Sequence, residues 1–474
     1  MKHKLRVGFV GTSLASYYAN EYRQRERAID GLLRLAETLD FDLIPVAGAI
    51  DSIEAAEQAA RFMAEQQVDF LLLQTSACSM GEQLPPLARS VPHLGLWGTP
   101  DPHSEGDVRL HSFVSLGHFA SLAKRTLADE DIPFKWFYGH VETDEFQRRF
   151  AVTVRALTAV KNMARAKIGW IGGLVPGFMN MEFDADALKQ RLGVSIMPHT
   201  LDELVQRAQG MDTATVQATA QAIRGAASAV TVTAEGAFER VTRVYLALQQ
   251  MAREYGYDSL AVACWPEIQS SYKVVPCMAY SWLGSEDGIA SACEGDVLGS
   301  VSMLLLNLLN SKPGSSTLLD MAAFDPDNAA MLLWHCGVSP RHFANQDGVR
   351  WVDHTTIGRK SDTAFGVAGD LVFAPQEATI TYVNANATEL LVLDANIVER
   401  PSKGFDGTRG WFADFRLNQT PIKPWDLVNT LTVTGHPHHY AVAQGTLSSE
   451  LLEFAAWKRM QLVQGIPYTD YLQR

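Results

Sequence analysis

A chain of 474 residues is too long for one ordinary hydrophobic core, and its length points to about three domains. With 40 basic against 53 acidic residues the formal charge is -13, which argues against nucleic acid or an anionic membrane as the main partner, since both need a positive footprint. A composition 47% hydrophobic and 20% charged, free of low-complexity tracts, is that of a globular protein.

Met1-Lys2-His3-Lys4 runs directly into the short apolar segment Val7 to Val10, without the long apolar core of a signal peptide, so a cytoplasmic location is expected. A strand–helix alternation follows. Val7 to Val10, Asp42 to Val46, Phe70 to Leu73 and Leu94 to Trp97 read as buried parallel strands with amphipathic helices between them. The pattern restarts at Lys167 to Ile171 and continues through Ser195 to Met197 and Ala229 to Thr233. Neither Gly11 nor Gly172-Gly173 completes a GxGxxG fingerprint, so no dinucleotide site is expected. Val297 to Leu309 is too short to span a bilayer and reads as a buried helix. From about Arg350 the chain becomes rich in Val, Ile, Thr and Gly. Ala378 to Asn384, Leu390 to Val398 and Leu431 to Thr434 read as strands, and Leu447 to Leu462 as a terminal helix. The expected domains are 1–160 and 161–348, both α/β, and a β-rich 349–474. Cys78, Cys264, Cys277, Cys293 and Cys336 form no CxxC pair and are expected to be free buried thiols.

Three strands late in the second domain end in polar residues. Leu260 to Cys264 leads to Trp265-Pro266-Glu267, Ile289 to Cys293 to Glu294-Gly295-Asp296, and Met331 to Trp334 to His335-Cys336-Gly337. Ligands bind outside the carboxyl ends of parallel strands, and carboxylates with imidazole suit a divalent metal. Glu267 and Asp296 could instead cap the helices that follow them, and His335 could be a core histidine. A second signal is His436-Pro437-His438-His439, three histidines in four positions on an internal loop, which favours metal or sugar contact.

Cys264-Trp265-Pro266-Glu267, Val275-Pro276-Cys277, Cys293-Glu294-Gly295-Asp296 with Gly299 and Met303, His335-Cys336-Gly337 and His438-His439-Tyr440 with Gly445 together resemble the L-fucose/L-arabinose isomerase family, nearest its L-fucose isomerase branch. The resemblance implies two Rossmann-like parallel α/β domains followed by a β-barrel-like C-terminal domain, assembled as a homo-oligomer, hexameric or trimer-based. It implies a metal-dependent aldose–ketose isomerase acting on a monosaccharide through a cis-enediol. The cofactor would be Mn²⁺, or another divalent cation such as Co²⁺, Mg²⁺ or Fe²⁺, held by a glutamate, an aspartate and a histidine. By motif these are Glu267, Asp296 and His439, with Glu294 and His438 in reserve, and Glu267 and Asp296 would move the proton. Trp97, Gln269, Trp411 and His438 are the candidates for sugar contact. A modified hexose such as sulfoquinovose is an alternative substrate, for which Arg359, Lys360 and Arg409 could face the sulfonate. From another class, a non-catalytic sugar-binding or sensor protein would also use two successive α/β units.

Overall fold

A computed structural model describes residues 3–310, 314–358, 360 and 363–472 and divides into two compact units, 1–161 and 162–474. In the first unit, β1 (Leu5–Thr12), β2 (Phe41–Pro45), β3 (Phe70–Thr75), β4 (Leu94–Gly98) and β5 (Phe134–Tyr138) form a parallel sheet in the order β2-β1-β3-β4-β5. Crossover helices cover both faces, which is why β3 reads as an unbroken apolar run and is buried along its length. The helix Ile53–Glu65 shows the rule: Ser52 caps it by accepting the Ala55 N–H at 3.2 Å, and Ala56, Ala59 and Met63, at helical spacing, are buried.

The second unit starts with another parallel sheet. Its strands β6 (Lys167–Ile171), β7 (Ser195–His199), β9 (Ser259–Val262) and β10 (Ala290–Ala292) lie in the order β10-β9-β6-β7, while β8 (Ala229–Val230) stands outside it. The chain is therefore α/β, with a large mixed sheet following. That sheet takes β11 (Ser316–Asp325), β12 (Ala330–His335), β13 (Arg350–Asp353), β14 (Gly366–Val372), β15 (Gln376–Val383), β16 (Glu389–Val398), β17 (Thr408–Leu417), β18 (Thr420–Pro421), β19 (His439–Gln444) and β20 (Gln461–Leu462). The strand path is β20-β16-β15-β19-β11-β12-β17-β14-β13-β8, and β16 also pairs with β17. The buried helix Val297–Leu309 packs against β10 on one side and β11, β15 and β19 on the other, joining the two sheets.

Three expected strands change place. Met331 to Trp334 is strand, but as β12 it runs antiparallel to β11 and β17 rather than in the parallel sheet. Ala229 to Thr233 shortens to β8, which pairs with β13 in the mixed sheet. Leu431 to Thr434 lies at the end of a helix, Pro424–Val433. Its β-branched threonines are accommodated because the Thr430, Thr432 and Thr434 hydroxyls donate to the carbonyls four residues back, at 2.6, 2.7 and 2.8 Å. Pro424 pre-sets the first turn. The terminal helix is confined to Ser448–Trp457. Among the described residues no helix is long and apolar enough to cross a membrane.

Candidate metal and sugar site

β10 ends at Ala292, and the next residues turn the chain sharply. Glu294 has φ 62° and Gly295 φ 72°, both left-handed. Gly295 has to be glycine, because a Cβ there would meet the Gly173 carbonyl oxygen at 2.0 Å. The Trp170 indole donates to the Gly295 carbonyl at 3.1 Å, and the Val175 N–H to the Glu294 carbonyl at 3.1 Å. This braced turn swings the Glu294 side chain out of the strand direction towards β11 and β19. A non-glycine residue in this conformation costs on the order of 1 kcal/mol or more, so the surroundings hold it there.

β19 and β11 pair so that His439 lies directly opposite Asp320, and Asp320 is also opposite Trp334 of β12. Directly opposed residues share a face at close range. The His439 Nε2 atom is 3.4 Å from Glu294 Oε2 and 3.6 Å from Asp320 Oδ1. Both gaps are too long for good hydrogen bonds. Glu294 Oε2, Asp320 Oδ1, His439 Nε2 and His335 Nε2 are all buried with no hydrogen-bond partner. Converging unpartnered donors of this chemistry could hold a divalent cation.

The histidine tautomers separate their roles. His439 Nδ1 donates to Asp296 Oδ2 at 2.9 Å, leaving a lone pair on Nε2. His335 Nδ1 instead accepts the Cys336 N–H at 2.9 Å, so its proton sits on Nε2. Two groups that could hold a metal meet at His439: ligand atoms of Glu294, His438 and His439 lie within 4.8 Å of one another, as do those of Asp320, His335 and His439, and of these His335 offers a fixed N–H. Glu294, Asp320 and His335 line a cavity of about 360 Å³ with Trp265, Trp334, Val275, Thr356 and Ile357.

Electrostatics agree with this arrangement. Burial pushes the Glu294 carboxyl up, but His438 and His439 opposite it outweigh burial and hold it down to about 2. Burial lowers the His439 imidazole, but its bond to Asp296 and the nearby carboxylates of Glu294 and Asp320 prevail and hold it well above its ordinary value. A cation bound at His439 would therefore have to displace a proton, whereas Glu294 stays ionised throughout the neutral range. Affinity for Mn²⁺ is expected to rise about tenfold per pH unit from about pH 6 to pH 7 in calorimetric titrations. An affinity flat across that interval would contradict the tautomer assignment.

Two of the expected ligands sit elsewhere. Glu267 is exposed at the first turn of the helix Glu267–Tyr272, where its main-chain carbonyl accepts the Ser270 and Ser271 hydroxyls, and it does not line the cavity. Asp296 is wholly buried but has no free oxygen. It caps Val297–Leu309 by accepting the Gly299 N–H at 2.9 Å, receives the Tyr382 hydroxyl at 2.9 and 3.0 Å, and binds His439. For Asp296 the geometry favours the capping alternative, with an orienting bond to His439 besides, whereas the Glu267 side chain makes no cap bond. His438 lies at the rim, 3.6 Å from Glu294 Oε2 and edge-on to Phe178. His436 stacks on Tyr440, and burial pushes it down to about 4.

Of the other sugar-contact candidates, Trp97 is fully buried in the first unit, packed on Phe9 and Phe146 with its indole donating to Gly139, and has no face left for a ligand. Gln269 is buried and braces the loop through the Cys264 and Val274 carbonyls. Trp411 donates to the Ser402 carbonyl and packs under Arg400, beside a different pocket. Arg409 is buried against Asp370, which Arg350 also engages, so its charge is already matched. Lys360 is exposed just past Thr356 and Ile357, and Arg359 lies outside the described residues. Asp320 is a candidate site residue that the motifs do not point to; its one signal is a single acidic residue in the apolar stretch Leu318 to Phe324.

No family model matches the chain. It is 26% identical over 368 residues to a sulfoquinovose isomerase of Priestia aryabhattai, covering 76% of each chain. It is 23% identical over 373 residues to one of Alkalicoccus urumqiensis, covering 78% of this chain and 80% of that one, and 24% identical over 372 residues to one of Clostridium sp. (strain MSTE9), covering 77% and 79%. A solute-binding protein of an ABC transporter from Burkholderia multivorans aligns at 14% identity over 66% of this chain and 95% of its own, with a TM-score of 0.18, too low to carry an argument. By its similarity to the isomerases the chain is an aldose–ketose isomerase, an intramolecular oxidoreductase.

Proposed function

We propose that the chain interconverts the aldose and ketose forms of a sulfonated hexose of the sulfoquinovose kind, using a divalent cation held by Glu294, Asp320 and His439. One observation carries this reading: a buried, unpartnered oxygen of Glu294 and one of Asp320 each lie within 3.6 Å of the equally unpartnered His439 Nε2. The modified-hexose alternative is preferred over an unmodified aldose because the similar proteins are named for sulfoquinovose. When bound, such an ion, Mn²⁺ or a similar cation, acts as a Lewis acid towards the sugar's O1 and O2. The pairing of β16 with β17 supports the expected barrel-like closure of the mixed sheet.

Moving a carbonyl between C1 and C2 requires lifting a carbon-bound proton and returning it to the neighbouring carbon. In the cavity, Glu294 Oε2 and Asp320 Oδ1 are the oxygens placed to take up protons, one from carbon and the other from the hydroxyl. The His335 Nε2–H stays fixed as a donor and is suited to a sugar oxygen that gains negative charge in the enediol stage. Trp265, whose indole donates to Glu294 Oε1 at 3.4 Å, and Trp334 give the sugar apolar faces and exclude water. Lys360 is the described cation nearest in sequence to the cavity-lining Thr356 and Ile357, and is our candidate to meet the sulfonate.

NMR of the Mn²⁺-supplied protein with sulfoquinovose, D-glucose, L-fucose and L-arabinose tests the reading. Conversion of sulfoquinovose to its 2-ketose at least about a hundredfold faster than the others is expected, consistent with discrimination by one well-placed charged contact. Conversion of L-fucose or L-arabinose with none of sulfoquinovose would overturn the substrate, and no conversion of any would overturn the enzyme.

A further inference from the structure

Four of the five cysteines gather in one place. Cys264 follows β9, Cys293 follows β10, Cys336 follows β12, and Cys277 opens the helix Cys277–Trp282. Cys264 Sγ is 3.1 Å from Cys293 Sγ, and Cys277 Sγ is 3.7 Å from Cys336 Sγ. Cys293, Cys336 and a His335 ring nitrogen lie within 4.8 Å of one another. None of the four is more than 9% exposed, yet Cys264, Cys277 and Cys336 form part of the cavity wall, so a small ion can reach them without unfolding. Isomerisation as described above uses none of these sulfurs.

Their donor chemistry is opposite to that of Glu294 and Asp320. Thiolates select soft cations, carboxylates hard ones. Around a tetrahedral ion with metal–sulfur bonds of about 2.3 Å, two sulfurs sit roughly 3.8 Å apart, so the Cys277–Cys336 spacing needs little adjustment. We propose that Cys277 and Cys336 form a two-sulfur site for a thiophilic cation of the Zn²⁺ or Cd²⁺ class in the wall of the cavity. The ion replaces one proton on each sulfur it binds, and the resulting thiolates neutralise its charge in buried surroundings. His354 also comes within 4.8 Å of Cys277 and Cys336. Its Nδ1 accepts the Thr356 and Ile357 N–H groups at 3.1 and 2.9 Å, which leaves the ring proton on Nε2. His354 is therefore a hydrogen-bond donor beside the thiolates and not a ligand.

The test is a titration of the reduced, Mn²⁺-supplied protein with Cd²⁺, read by ultraviolet thiolate-to-metal charge-transfer absorption. A band saturating near one equivalent of Cd²⁺ is expected, retained in Cys78→Ser and lost in both Cys336→Ser and Cys277→Ser. Cd²⁺ should also shield Cys277 and Cys336 of the wild-type chain from alkylation, mapped by peptide mass spectrometry, so the outcome does not depend on either variant folding. Absence of the band from the wild-type protein, its loss in Cys78→Ser, or unchanged alkylation of Cys277 and Cys336 would overturn the site. None of these readouts depends on isomerase activity, so they stand apart from the proposed reaction.

Discussion

Replacing Glu294 by Gln is expected to lower kcat/KM by about 10³-fold or more and to weaken Mn²⁺ binding, while Glu267→Gln changes neither beyond about twofold. The contrast follows from position. Glu294 lines the cavity with a buried, unpartnered oxygen 3.4 Å from His439 Nε2, whereas Glu267 is exposed on a helix turn. The amide is nearly isosteric, so the left-handed turn and its bonds to Trp170 and Val175 through the main chain remain, and unfolding should not account for the loss. Steady-state kinetics and calorimetric metal titration of the two variants provide the check. Equal loss in both would return Glu267 to the site.

Asp296→Asn carries the second large effect, and it separates orienting a ligand from being one. Both carboxylate oxygens are occupied: one takes the Gly299 N–H and one the His439 Nδ1–H, with the Tyr382 hydroxyl shared between them. An asparagine has a single acceptor oxygen, so its NH₂ must face either the helix N-terminus or His439. Facing His439, it drives the ring proton to Nε2 and removes the lone pair directed at Glu294 and Asp320. Facing Gly299, it gives up the cap, worth about 1 kcal/mol. Mn²⁺ affinity is expected to fall 10–100-fold, about the cost of losing a group that orients a metal-bound histidine. Stability should fall by about 1–3 kcal/mol in urea unfolding, from one buried polar group left unpaired. Unchanged affinity with lowered stability would leave Asp296 as a cap alone.

These two residues show how far the sequence can be read. The strand-end motif Cys293-Glu294-Gly295-Asp296 is visible in it, and the family resemblance adds the expectation of a glutamate, an aspartate and a histidine around one cation. His439 is identifiable directly. The assignment of the two acids is not legible, because it depends on backbone geometry: the left-handed turn at Glu294 and Gly295 directs the first acid into the cavity and reserves the second for the helix. Asp320 is beyond reach for a different reason. It joins the candidate site through antiparallel pairing with His439, some hundred and twenty positions later, and cross-strand register of that range leaves no local pattern. The parallel sheets are plain because each buried strand is a continuous apolar run, as in Phe70–Thr75. The end of Pro424–Val433 reads as strand because threonine looks like a strand residue until its hydroxyl finds the carbonyl a turn earlier.

Diffraction from crystals grown with Mn²⁺, collected at the manganese absorption edge, puts the proposed metal centre to its most direct trial. An anomalous peak is expected within about 2.3 Å of oxygens of Glu294 and Asp320 and of His439 Nε2, with Asp296 on the far side of the imidazole. A peak at Glu267, or manganese bound by Asp296 in place of Asp320, would contradict it.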